Sequence, residues 1–80
     1  MRLPRDLTGA ELIRHLVNLG YQKTRQTGSH VRLTCDVPYQ HHVTVPLHDP
    51  LRIGTLSAIL GDVAEAQNVE RDILLERLFG

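Results

Sequence analysis

The sequence predicts an α+β fold, a helix followed by three antiparallel strands and then further helices, and three observations carry that prediction. Thr8-Gly9-Ala10-Glu11 has the form of a capping box that opens a helix. Residues 21 to 46 switch to a period of two, interrupted by Thr27-Gly28-Ser29 and by a proline-containing loop. Beyond Pro50 the apolar residues return to helical spacing.

The first helix is expected from about Gly9 to Leu19. In the capping box the Thr8 hydroxyl and the Glu11 carboxylate each satisfy a backbone N–H, and Leu7 and Leu12 are spaced as a hydrophobic staple. Leu12, Ile13, Leu16 and Val17 form its apolar stripe, with Arg14, His15 and Asn18 off that stripe, and Gly20 supplies the stop. Three strands follow, at Tyr21 to Gln26, His30 to Cys35 and His42 to Pro46. Parity puts Val31, Leu33 and Cys35 on one face of the second strand and His30, Arg32 and Thr34 on the other. In the third, Val43 and Val45 oppose His42, Thr44 and Pro46. The helices are expected to cover the valine face, leaving His30, Arg32 and His42 pointing outward. The first strand has no apolar face, which suits an edge or strongly exposed position. Asp49-Pro50 reads as cap and first turn of a helix over residues 51 to 66, with Ile53, Leu56, Ile59, Leu60 and Val63 as its stripe. Asn68 is expected to cap a last helix buried through Val69, Ile73, Leu74 and Leu78.

Eighty residues make one domain, 1–80, with room for a single modest core and no large substrate cleft. One cysteine, Cys35, forms no internal disulfide, and no segment has the length and apolarity of a signal peptide or a membrane span. A reduced, cytoplasmic location follows, with no membrane contact. Nine Lys and Arg balance nine Asp and Glu, which argues against bulk electrostatic attachment to nucleic acid or anionic lipid. The balance hides an asymmetry. Residues 1 to 35 carry six basic side chains against two acidic, residues 36 to 80 three against seven, so the halves stand at +4 and −4.

His30 is the leading candidate for chemistry. Gly28 permits a tight turn, Ser29 can bond locally to fix it, and parity turns the imidazole away from the core. Imidazole is suited to take a proton from a ribose 2′-hydroxyl or give one to a leaving 5′-oxygen, and Arg32 with Lys23 or Arg25 can hold the phosphate. Gly28, Ser29 and His42 complete the set of expected substrate contacts. His30, His41, His42 and His48 fit no common zinc spacing and no cysteine pair joins them, so neither a metal nor another cofactor is expected. His15 is read as a solvent-facing helix residue and Cys35 as a small core side chain.

The run Arg25-Gln26-Thr27-Gly28-Ser29-His30, then Val43-Thr44-Val45-Pro46, then Gly54-Thr55-Leu56 with Ile59-Leu60, after a helix ending Leu19-Gly20-Tyr21, resembles the HicA (YcfA-like) mRNA interferase toxins. The likeness spans about residues 9 to 60. It implies a fold similar to a double-stranded-RNA-binding domain, α-β-β-β-α, to which this chain adds a C-terminal helical extension over 61 to 80. It also implies a metal-independent endoribonuclease of a toxin-antitoxin system with its catalytic histidine at His30, mRNA as substrate, a HicB-like antitoxin as partner, and a monomer when alone. Val31 stands where many relatives have a second histidine, a position that parity turns inward. The alternative reading is a non-catalytic RNA- or protein-binding module of the same fold.

Overall fold

The computed structural model describes residues 2–80, and its elements follow the order α1 (Gly9–Leu19), β1 (Gln22–Thr27), β2 (His30–Cys35), β3 (His41–Pro46), α2 (Ile53–Gln67) and α3 (Arg71–Phe79). Helix α1 begins where its cap dictates. Glu11 N–H donates to Thr8 Oγ1 at 3.0 Å, and Thr8 N–H donates to Glu11 Oε1 at 2.9 Å. Two backbone donors that the helix cannot satisfy are thereby satisfied at once, and the bond from the Thr8 amide holds the Glu11 carboxyl below its ordinary pKa. The helix ends at Gly20, whose φ of 127° lies in a region that a side chain would resist.

The three strands form one antiparallel sheet in the order β1-β2-β3. Val31, Leu33 and Cys35 on β2 and Val43 and Val45 on β3 face the helices and are buried, as parity requires. α1 and α2 pack on β3, while α3 packs on α1 and α2. All of β1 is exposed: it is an edge strand held through β2. None of the helices is long and apolar enough to cross a membrane among the described residues.

Several expectations are corrected. Val17, Ile53 and Ile73 lie on the surface: Val17 at the edge of the α1 stripe, Ile53 at the first residue of α2, and Ile73 on the side of α3 away from Leu74, Leu75 and Leu78. Leu75 takes the inward place expected of Ile73. Tyr21, read as the start of a polar strand, is among the most buried side chains of the core, with β1 beginning only after it. Pro46, assigned outward, is buried where the first turn of α1 crosses the end of β3. Helix α2 starts later than Asp49-Pro50, with Arg52 at the N-cap and no side chain bonded there. Asn68 does not open α3. It closes α2 in the left-handed conformation, φ 55°, with its own N–H bonded to Glu65 O and that of Val69 to Ala64 O. His15 is half-buried rather than solvent-facing, its ring edge-on to Phe79 at 4.9 Å and so part of the contact between α1 and α3.

Gly9 is required by packing. A Cβ there would run into the carbonyl of Pro46, and its N–H donates to His48 O at 2.9 Å. The first turn of α1 therefore lies directly on the chain leaving β3.

Candidate nucleic-acid interface

β1 and β2 are joined by a two-residue loop, Gly28-Ser29, with Thr27 and His30 as the last cross-strand pair. Gly28 has φ 58° and Ser29 no positive φ, the pattern of a type II′ turn, whose twist matches that of the flanking strands. Gln26 Nε2 donates to Gly28 O at 3.0 Å, and Leu47 N–H donates to Ser29 O at 2.7 Å, so the turn is braced from both sides. The turn thus sets the position of His30. It is the first residue of β2, between Thr27 on β1 and Pro46 on β3, exposed on the face that no helix covers.

Arg32 follows on the same face, two residues along β2. Its neighbour on β3 is Thr44 and its neighbour on β1 is Arg25. That second pairing results from a bulge. Between Lys23 and Arg25 the register slips by one residue, so that Lys23 pairs with inward-facing Leu33 while Arg25 comes to stand opposite Arg32. Of the two cations expected near the phosphate, the structure brings Arg25 to the His30 face and leaves Lys23 off it. Like charges directly opposite on a sheet repel, so this cross-strand pairing of two arginines carries a cost. Arg32 Nε is enclosed with no hydrogen-bond partner among the described residues.

His42 lies on this face too, but at the far end. Its cross-strand partner is Thr34, four residues from His30, a separation of about 13 Å along a strand. Its Nδ1 is 2.8 Å from Thr34 Oγ1, which is 2.8 Å from Thr24 Oγ1, so a line of side-chain hydrogen bonds crosses all three strands. His42 therefore lies at the opposite end of this face from His30.

His41 points the other way, toward the core edge. Its Nδ1 is 2.7 Å from Tyr39 O, and only an N–H can pair with a carbonyl, so that nitrogen carries the proton. Nε2 is then an acceptor for the Tyr21 hydroxyl at 2.6 Å, and the Tyr21 oxygen receives Gln67 Nε2–H at 3.2 Å. Burial pushes the Tyr21 phenol above its ordinary pKa, against the lowering effect of the Gln67 bond. Cys35 is buried beside this network, 3.3 Å from Val37 O. Neither the bulge nor this network has a local signal in the sequence, since the network joins residues 20 and 46 positions apart. Among the described residues no three His, Cys, Asp or Glu side chains are grouped to hold a metal ion.

Residues 9–64 match the family model described as HicA toxin of bacterial toxin-antitoxin systems. Comparison with curated proteins and with solved structures gives no match. The matched stretch includes α1, the whole sheet and most of α2, and so all of the face that carries His30, while the N-terminal arm before Gly9 and helix α3 lie outside it.

Proposed function

As the chain belongs to the HicA toxin family of bacterial toxin-antitoxin systems, we propose that it is an mRNA-cleaving endoribonuclease of the cytoplasm, with its catalytic site at the turn end of the sheet and a HicB-like antitoxin as its inhibitor. The observation that carries this reading is the juxtaposition on one uncovered face of His30 with the Arg25 and Arg32 pair. An outward residue two places along a strand lies about 7 Å away, the reach of a single phosphodiester group between an imidazole and a guanidinium. Arg25 and Arg32 hold the phosphate and stabilise the charge that develops on it. His30 moves a proton, taking it from the 2′-hydroxyl that attacks phosphorus or giving it to the departing 5′-oxygen. Its position straight after a braced turn provides the fixed placement that proton transfer needs. Gly28 and Ser29 admit the backbone of the RNA close to the turn, and His42 meets it further along the sheet. The antitoxin silences the enzyme by covering this same face.

Replacement of His30 tests the reading. His30→Ala is expected to lower RNA cleavage by at least about a hundredfold and to end growth arrest on induction. The melting temperature stays near that of the parent, because the side chain is exposed and packs against little. Cleavage by the parent persists in excess chelator. Undiminished cleavage by the substituted protein defeats the assignment of His30, and absence of cleavage by the parent in favour of simple RNA binding leaves the non-catalytic module. For the antitoxin, hydrogen exchange on the complex should be slowed over residues 23 to 34; protection confined to residues 61 to 80 rejects the covered-face account.

A further inference from the structure

The N-terminal arm, which lies outside the family match, forms one wall of an open groove of about 610 Å³ whose other wall is the start of α2. Among the described residues Arg2, Arg5 and Arg52 line it with one carboxylate, Asp6, and exposed Ile53 supplies an apolar surface. Arg52 is also the N-cap of α2, and its side chain makes no cap bond to the helix. In a chain of zero net charge this is a local concentration of cations, with the positive end of a helix dipole added to it.

The groove is tied to the His30 turn by main-chain bonds. Leu47 N–H donates to Ser29 O at 2.7 Å, Gly9 N–H to His48 O at 2.9 Å, and Leu51 N–H to Leu7 O at 2.8 Å. The connecting chain starts at Pro46, the cross-strand neighbour of His30, and reaches the groove at Leu51, five residues that span at most about 18 Å. Taking the RNA-cleaving site at His30 as its premise, we propose that this groove anchors the backbone of the same RNA, with Arg2, Arg5 and Arg52 holding phosphates of nucleotides beyond the one at His30. Guanidinium groups suit the fork geometry of phosphate oxygens, and Ile53 lies where a ribose or base can rest. Two separate cationic sites, one at the His30 end and one in the flanking groove, would let a neutral protein grip a single strand over several nucleotides.

The test uses fluorescein-labelled single-stranded RNA of random sequence, about four and about twelve nucleotides long, lengths that bracket a short site and an extended one. Binding by fluorescence anisotropy is compared between the His30→Ala protein, which does not cleave, and the same protein carrying Arg2→Ala, Arg5→Ala and Arg52→Ala. The three changes should weaken binding of the longer RNA at least tenfold and flatten its dependence of log affinity on log salt by about two units, from three lost contacts at roughly 0.7 each. Binding of the shorter RNA should change less than twofold, and the melting temperature should not move, since all three side chains are exposed. Arg52→Glu alone should act in the same direction. If the longer RNA ignores all three arginines, or if both lengths lose affinity equally, the groove is no anchoring site. If RNA binding is unchanged and only antitoxin binding falls, an acidic protein segment occupies the groove and the proposal is overturned. Failure of the His30→Ala protein to bind either RNA overturns the reading of the His30 face itself, and the groove with it.

Discussion

The two ends of the sheet each carry histidine, and they use it in opposite ways. At the far end His41 and His42 both have bonded rings, one inside the Tyr21, Gln67 and Tyr39 network, the other on the line of hydroxyls formed by Thr34 and Thr24. At the turn end the side chains of His30 and Arg25 are exposed, and Arg25 faces Arg32 across the strands. What is held at that end is the backbone, by Ser29 to Leu47, by Gly9 to His48 and by the two-residue turn. His41, with both ring nitrogens bonded inside the protein, stabilises the fold and is not free for a ligand, whereas a fixed backbone with unfilled side chains is arranged for one. The contrast also separates mutations that remove activity, of which His30→Ala is the largest, from mutations that remove stability.

The largest stability effect is expected where the turn end is clamped. Gly9→Ala pushes a methyl group into the Pro46 carbonyl, and neither the helix turn nor the strand end can yield without breaking the Gly9 to His48 bond. Overpacking of this kind costs about 3 kcal/mol. Chemical denaturation should show that loss, and the surviving folded protein should also cleave more slowly, because Pro46 is the neighbour of His30. A variant as stable and as active as the parent would mean that the clamp does not position the site.

His41→Ala should do less to stability and nothing direct to activity. It leaves the Tyr21 hydroxyl without its acceptor at the edge of the core, a loss of about 1–3 kcal/mol. For a domain of this size each kcal/mol lowers the melting temperature by roughly 4–8 °C. Cleavage measured well below that temperature should equal that of the parent. Loss of cleavage without loss of stability would place His41 in the chemistry and break the contrast between the two ends.

How much of this was legible in advance follows from the range over which each signal acts. The capping box, the Gly28 turn and the parity of β2 are local, and α1 and β2 fall where the sequence puts them. The family resemblance rests on the same local runs and agrees with the match over residues 9–64. The burial of Tyr21 is not local, because it depends on His41 and Gln67 arriving from later elements. The bulge at β1 is equally silent: Gln22 to Thr27 are all polar, so no apolar alternation records which residues face which way, and only the register shows that Arg25 rather than Lys23 stands opposite Arg32. Asn68 reads as an N-cap because asparagine suits both a helix N-cap and the left-handed residue that closes a helix, and the chain uses it for the second.

The smallest effect tests the repulsion between Arg25 and Arg32. Like charges directly opposite on neighbouring strands destabilise a sheet by roughly 0.2–1 kcal/mol, and the exposure of Arg25 together with salt places this pair toward the lower value. Arg25→Gln keeps the length and polarity of the side chain and removes the charge. Stability in low salt should therefore rise by a few tenths of a kcal/mol, and the gain should shrink as salt is added to roughly 1 M, where the screening length falls to about 3 Å. Over the same change RNA cleavage should fall, since one of the two groups proposed to hold the phosphate is gone. A gain in stability coupled to a loss of activity is the behaviour of a site kept in an unfavourable arrangement for its ligand, the reverse of what His41→Ala should show at the other end. If Arg25→Gln instead lowers stability in low salt, the two guanidinium groups are held by favourable contacts of their own, and the pairing is part of the fold rather than a seat for an anion.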